Sequence, residues 1–138
     1  MEEFKLYEES AERSVIGALL LDNESIYNCE FLKPEMFGFE KYKQVFSVIS
    51  KMIADNHPAD VVTVNSRLVE LEIDGLIDGL MGLVAIVQNT PSAANIARYA
   101  NIVKNKYIDR QLLHVADEIK ELVLNGSLKS EEKQQRAE

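Results

Sequence analysis

The pattern of apolar residues between Ala93 and Leu124 limits most strongly what this chain can fold into. Apolar residues recur there at intervals of three and four, which predicts one long helix. At a rise of about 1.5 Å per residue, that helix would be on the order of 45–50 Å long, more than the width expected of so small a domain. Part of it must therefore find a partner outside a single globular core.

The apolar surface of this helix changes direction midway. A first stripe contains Ile96, Tyr99, Ala100, Val103 and Tyr107. A second stripe has the 4-3-4-3 spacing of a coiled-coil seam and contains Ile108, Leu112, Val115, Ile119 and Leu122. At about 100° per residue, the two stripes differ in direction by roughly 120°. We expect the first, chiefly Ile96, Tyr99 and Val103, to pack on the globular domain and the second to form a subunit interface.

The residues before this helix predict where it starts. Thr90 or Ser92 can accept hydrogen bonds from free backbone N–H groups, and Pro91 suits a first turn because it lacks an N–H. Asn125-Gly126 predicts its end. The second helix of a hairpin or another subunit could cover the arm.

The rest of the chain also has helical periodicity, so the predicted fold class is all-α: a compact multi-helix globule followed by a long helix that forms part of a helical hairpin. The predicted divisions are a globular domain over 1–107, an oligomerisation arm over 108–126, and a polar tail or the start of a linker over 127–138. Five earlier features are predicted: a helix near Glu8–Leu21, a short helix after Ser25 with Ile26 and Tyr27 buried, a loop over "FLKPEMFGF", a helix near Phe39–Asp55, and a helix capped by Thr63 that carries Val64, Leu68 and Leu71. A short strand over "VVTV" is the alternative to the start of this last helix.

The segment "LIDGLMGLVAIVQN" is predicted to be a buried helix with apolar residues on most sides. Its glycines, Gly79 and Gly82, and the preceding Gly75 have no strand before them and no acidic partner for a dinucleotide. They indicate close helix packing or a turn.

Charge favours protein partners over nucleic acid. The chain has a net charge of −8, which repels phosphate backbones unless its basic residues cluster. Lys104, Lys106 and Arg110, with Arg98, are the densest basic group. They predict either solvated helix charge or a weak contact to single-stranded DNA, without the interleaved aromatic residues of a stacking platform.

No catalytic, cofactor or metal site is predicted. The sequence has no GxxxxGK[ST] phosphate-binding loop, and neither His57 nor His114 has a second ligand at metal-site spacing. The single cysteine, Cys29, is expected to be a packed side chain, and it suits a reducing cytoplasm. The longest apolar run, over 76–87, is too short to span a membrane.

Several motifs in order resemble the amino-terminal domain of DnaB-type replicative DNA helicases. "NTPSAANIARYANIV" is similar to that family's signature, and "AERSVIGALLLDN", "MFGFEKYKQVFSVI" and "HPADVVTVNSRL" resemble its earlier segments. The resemblance covers roughly residues 8–122. Two departures are Tyr42, where the family often has histidine, and "DGLMGLVAIV", where Gly82 replaces an aromatic residue. They indicate a divergent member, for example one from a bacteriophage.

The resemblance implies a helical globule and hairpin that pair and build a collar, as a trimer of dimers, on a hexameric helicase. It implies a parent enzyme that unwinds DNA using ATP and Mg, and that contacts DNA mainly through an ATPase domain absent here. The implied partners are a second copy of the chain, a DnaG-type primase and a helicase loader. The alternatives are a stand-alone mimic that regulates a helicase, loader or primase, and the weak single-stranded DNA-binding module.

Overall fold

Every regular element in the described part of the chain, residues 5–125 of the computed structural model, is a helix. In chain order the elements are α1 (Glu9–Leu21), 3-10 turns at Asn23–Asn28 and Pro34–Met36, α2 (Glu40–Ala54), α3 (Val61–Glu70), a 3-10 turn at Asp74–Ile77, α4 (Gly79–Gln88) and α5 (Ile96–Leu124). The all-α class is confirmed. The alternative strand over "VVTV" is wrong, because those residues form the first turn of α3.

The core is built around α1, which packs against α2 and α4, while α3 packs against both α2 and α4. Val15, Ile16 and Leu19 of α1 are fully buried, as is Ile49 of α2, with Phe46 beside it at 2% exposure. These are the residues that the three-and-four spacing assigns to the inner faces. Burying side chains of this size stabilises the fold by about 1.5–3 kcal/mol each, before conformational entropy is counted.

A buried carboxylate on α1 caps the start of α2. Glu12 is 1% exposed, and its two oxygens accept hydrogen bonds from the backbone N–H groups of Gly38, at 2.9 Å, and Phe39, at 3.1 Å. Phe39 itself has no side-chain oxygen with which to cap this helix end. Glu12 therefore supplies from another helix the negative charge and the acceptors that the N-terminus of α2 lacks.

A second contact between α1 and α2 lies nearer the surface. The Glu9 carboxylate accepts a hydrogen bond from the Tyr42 hydroxyl at 3.0 Å and pairs with the Lys41 ammonium at 3.2 Å. The hydrogen bond from Lys41, followed by that from Tyr42, holds the pKa of Glu9 below its ordinary value. The ionised form of Glu9 thus favours the folded state.

The structure moves the cap of α3 from Thr63 to Asp60. The Asp60 carboxylate accepts a hydrogen bond from the Thr63 N–H at 2.8 Å, and the Thr63 hydroxyl accepts one from the Asp60 N–H at 2.9 Å. This reciprocal capping box lets the helix begin at Val61. Because α3 starts and ends earlier than predicted, Leu71 lies beyond its last turn and is 44% exposed.

The apolar segment before Gln88 is not one buried helix. Asp78, between the 3-10 turn and α4, and Gly79, the first residue of α4, both adopt positive φ, about 61°, so the chain changes direction there. A Cβ at Gly82 would lie 1.5 Å from the carbonyl oxygen of Ile77, so the turn packs directly on α4. The prediction that these glycines serve a turn and close packing is confirmed, but the prediction of burial on most sides is wrong, since Met81 is 83% exposed.

The predicted start of the long helix is also wrong. Thr90 is buried, and its hydroxyl donates to the carbonyl oxygen of Ile86 at 2.8 Å, so it completes the end of α4. Its side chain lies where a Cβ on Gly17 would be, which shows how closely α1 approaches it. Ser92 accepts a hydrogen bond from the Ala94 N–H, but α5 begins only at Ile96. Pro91 therefore lies in the connection and not in the first turn.

Two further local predictions need correction. The side chain of Tyr27, predicted to be buried beside Ile26, is 65% exposed, because the segment forms a 3-10 turn. The predicted loop "FLKPEMFGF" contains a 3-10 turn at Pro34–Met36. The predicted helix stop at Gly126 and the polar tail over 127–138 lie outside the described residues.

The chain divides into two compact units, one up to Tyr107 and one from Ile108 onwards. None of the helices in residues 5–125 combines the length and hydropathy needed to cross a membrane.

Candidate interaction surfaces

The second half of α5 carries an exposed apolar stripe, which we call the arm stripe: Ile108, Leu112, Val115, Ile119 and Leu122. The exposed fractions are 41% for Ile108, 64% for Leu112, 48% for Val115 and 44% for Ile119, and Leu122 is half-buried. The regular spacing places all five within about 40° of one direction around the helix. Such a continuous line of large apolar side chains, regularly spaced for packing against another helix, is typical of a helical interface.

The first half of α5 has the opposite character. Ile96 and Val103 are each 1% exposed and belong to the hydrophobic core, while Tyr99 is half-buried against that core. Ala100 is fully buried between them. This half of the helix is thus part of the globular unit.

Three more large apolar side chains are exposed on the described part of the arm outside the predicted stripe. Leu113 is 46% exposed, Val123 68% and Leu124 72%. At about 100° per residue, Leu113 and Leu124 point roughly 140° and 160° away from the centre of the arm stripe. The coiled-coil spacing did not reveal them, although the pairs Leu112-Leu113 and Leu122-Val123-Leu124 show that the arm is apolar on more than one side.

The basic residues proposed for DNA contact are engaged within the chain. The Lys104 ammonium lies over the ring of Phe31, 5.1 Å from its centroid, and the Lys106 ammonium donates to the carbonyl oxygen of Lys5 at 2.6 Å. Both lysines, like Arg110, are half-buried. Such ammonium groups would have to leave these contacts to bind phosphates.

A second exposed apolar surface lies on α3, α4 and the turn between them, and we call it the α3–α4 face: Val62, Val69, Leu76, Leu80 and Met81. Their exposed fractions range from 41% for Leu80 to 83% for Met81. Val62 and Val69 lie two turns apart on one side of α3. The α4 start is adjacent, because a Cβ on Gly79 would lie 3.7 Å from the side-chain oxygen of Asn65.

The α3–α4 face is accompanied by acidic residues. Four carboxylates, those of Glu70, Glu72, Asp74 and Asp78, lie in the interval between Arg67 and Arg98, in which there is no lysine or arginine. Arg67 pairs with Glu70 at 2.8 Å. Sequence reasoning missed this surface because the same apolar residues also fit a buried helix, but the alternation of acids with leucines over residues 70–80 was a signal.

The side chains considered for metal binding or nucleophilic chemistry do not form a common site within the described residues. Within residues 5–125, no group of three or more His, Cys, Asp or Glu side chains is arranged to hold a metal ion. His57 and His114 are exposed. Cys29 is 1% exposed, and its burial raises the pKa of the thiol to about 11, which disfavours the reactive thiolate.

The fold of residues 5–125 places the protein in a class: all-α domains that contain a long helix after a helical globule. The crystal structure of the N-terminal domain of DnaB helicase from Mycobacterium tuberculosis has this fold, with a TM-score of 0.86, 30% sequence identity, and coverage of 95% of this chain and 93% of that one. A structure of a DnaB-like replicative helicase and its interactions with primase matches with a TM-score of 0.72 at 19% identity, over 95% of this chain and 32% of the other.

The sequence then places the chain in a family. The family model of the DnaB-like helicase N-terminal domain matches residues 5–105, and the chain belongs to this family. It is 34% identical to the replicative DNA helicase DnaB of Nostoc over 110 residues, which are 79% of this chain and 12% of that protein. It is 33% identical to DnaB of Geobacillus stearothermophilus over the same share of this chain and 24% of that protein. The chain therefore spans only about an eighth to a quarter of the length of these relatives.

Proposed function

We propose that this chain is an assembly and docking domain of a hexameric replicative DNA helicase, and that copies of it associate through the arm stripe. The observation that carries the proposal is the coiled-coil-spaced apolar line from Ile108 to Leu122 on a helix whose first half packs one face, with Ile96, Ala100 and Val103, into the core. Membership of the DnaB N-terminal family supports it. Unwinding of DNA with ATP and Mg is assigned to the remainder of the parent protein.

The free energy of burying the arm stripe favours association of two arms over an arm exposed to water. About half of each large side chain in the stripe remains to be buried, which is worth about 1 kcal/mol per side chain. A symmetric dimer uses the same surface twice, so ten side chains contribute about 10 kcal/mol before the cost of association, which is about 4–15 kcal/mol. The stripe alone thus supports a weak dimer, and a stable collar requires further contacts from the parent protein.

The α3–α4 face is proposed as the docking surface for a primase or loader. Its exposed leucines, valines and methionine would bind the apolar side of a partner helix, and the four carboxylates within residues 70–78 would favour basic residues on that partner. A DnaB-like helicase that shares this fold is described with its interactions with primase, which makes a DnaG-type primase the first partner to test.

Light scattering over a concentration series tests the assembly proposal. The mass should rise from monomer towards dimer with concentration, and a mass that stays monomeric at millimolar concentration would contradict the proposal. Docking is tested separately by mixing the chain with the carboxy-terminal domain of a DnaG-type primase. Val69→Asp with Met81→Asp should abolish this binding, whereas Leu21→Asp, an exposed leucine on α1, should leave it unchanged. Equal binding by the double variant would reject the α3–α4 face.

A further inference from the structure

Tyr27 stands between two depressions on the surface of the globular unit. The larger, of about 360 Å³, reaches down to the core, where Cys29 and Phe46 are 1% and 2% exposed. The smaller, of about 250 Å³, lies on the other side and includes Asn23, Glu24 and Pro58. Tyr27, Ile53 and Asn56 line both depressions, so the exposed tyrosine ring forms the ridge between them.

The larger depression suits a bulky apolar side chain. Besides the two buried residues at its floor, its walls include Ile26, Leu32 and Ile53. Its volume lies at the lower end of the range of ligand sites, and an apolar floor with a few polar groups at the rim is typical of such sites. An apolar group that enters it displaces water from apolar surface and gains contacts with the core.

The smaller depression and the shared rim suit a positive charge. Glu24 lines the smaller depression and Glu30 lines the larger one. Neither carboxylate forms an ion pair within residues 5–125. The last turn of α2 also lies at the rim, through Ile53 and Ala54, and the C-terminal end of a helix carries partial negative charge. Among the described residues that line the two depressions, His57 is the only basic side chain.

We propose that this surface binds a protein segment that carries a bulky apolar side chain next to a lysine or arginine. The apolar side chain enters the larger depression, and the cation lies over the Tyr27 ring beside Glu24. Exposed tyrosine at such a position provides both apolar area and a cation–π partner, and tyrosine is enriched among residues that dominate binding energy. Nucleic acid and anionic lipid are disfavoured as occupants, because the rim carboxylates repel phosphate. This inference does not depend on the arm stripe or on the α3–α4 face.

Amide NMR of the ¹⁵N-labelled chain tests the proposal with three synthetic peptides. The probe is acetyl-Gly-Arg-Phe-Arg-Gly-amide, and its matched controls replace phenylalanine by alanine or both arginines by glutamate. With the probe we expect saturable shift changes confined to residues 23–34 and 46–58, which include the lining of both depressions, and at least about fivefold weaker binding by either control. A fivefold loss corresponds to about 1 kcal/mol, the size of one exposed cation–π contact.

Variants of the chain separate the site from general acidity. Glu24→Lys and Tyr27→Ala should each weaken the probe about fivefold, while Glu35→Lys, an exposed glutamate that lines neither depression, should change it less than twofold. The amide spectrum of each variant without peptide reports whether it is folded. The proposal would be overturned by shift changes spread over the acidic surface, by an equal loss of probe affinity in Glu35→Lys, or by equal affinity for the peptide in which alanine replaces phenylalanine. Changes at this site that follow protein concentration alone would make a second copy of the chain the occupant, and would also overturn it.

Discussion

Replacing Leu112 and Ile119 with aspartate removes two of the five side chains of the arm stripe. Leu112 is 64% exposed and Ile119 is 44% exposed, so association would bury about half of each side chain, worth about 1 kcal/mol apiece. Because a symmetric dimer contains each position twice, the double change costs about 4 kcal/mol, or roughly a thousandfold in Kd. Four carboxylates placed in an apolar interface add a further desolvation penalty. A dimer with a micromolar Kd should therefore weaken to a Kd of about 1 mM or more, so the variant should be monomeric up to about 100 μM.

Sedimentation or light scattering measures the association, and helical circular dichroism with thermal unfolding reports the fold. The matched control is Leu113→Asp with Leu124→Asp, which makes the same chemical change on the same half of α5 but on the side away from the arm stripe. This control should keep the concentration-dependent mass of the unmodified chain, and both double variants should retain the unfolding transition of the globular unit, since all four side chains are substantially exposed.

Two results would refute this reasoning. If the Leu112, Ile119 variant associates as strongly as the unmodified chain, the arm stripe is not the interface. If instead the Leu113, Leu124 control loses association equally, the interface is not confined to the predicted side of the helix, and the energy assigned to the stripe is misplaced.

Three further changes test how the globular unit is held together. Glu12→Gln should lower the free energy of unfolding in urea by about 1.5–3 kcal/mol, because an amide offers a second N–H where the start of α2 needs an acceptor. Gly82→Ala should destabilise by more than about 2 kcal/mol in the same assay, since its Cβ would meet a backbone oxygen at 1.5 Å, while Gly75→Ala, with nothing within 4 Å, should be nearly neutral. The pKa of Glu9 is lowered by Lys41, so its contribution is present above the unfolded pKa, near 4.5, and is lost as pH falls through the lower folded pKa. Glu9→Gln should thus flatten the acid limb of a plot of melting temperature against pH, and an unchanged limb would show that the exposed pair contributes nothing.

The helical class and most helix positions were predictable, because apolar spacing and helix geometry are both local. The spacing over Tyr42–Ile53 predicted α2 to within about a residue at each end, and that over α1 did the same. The change of direction near Ile108 was also predictable, since it requires only the rotation per residue of a helix. Tyr42 shows the limit of such reasoning: its burial followed from spacing, but its bond to Glu9, 33 positions away, did not.

The elements that were mispredicted share one cause. Thr90 has the chemistry of a helix cap, but the close approach of Gly17 buries it, and its hydroxyl turns to the end of α4. Tyr27 and Met81 have the hydrophobicity of core residues, but no other element within residues 5–125 covers them. The chemistry of a side chain limits the contacts that it can make, but it does not determine which other segments of the chain will lie next to it.

The sequence by itself thus determined the helical class, the inner faces of α1 and α2, and the two directions in which α5 shows apolar surface, because these depend on intervals of three and four along one chain. Only the tertiary structure decided that Glu12 caps a helix 26 residues away, that the α3–α4 face is exposed among the described residues, and that Tyr27 lies between two depressions. These features depend on which helices meet and how closely they pack. The apolar spacing within one helix does not predict its contacts with segments distant in the sequence.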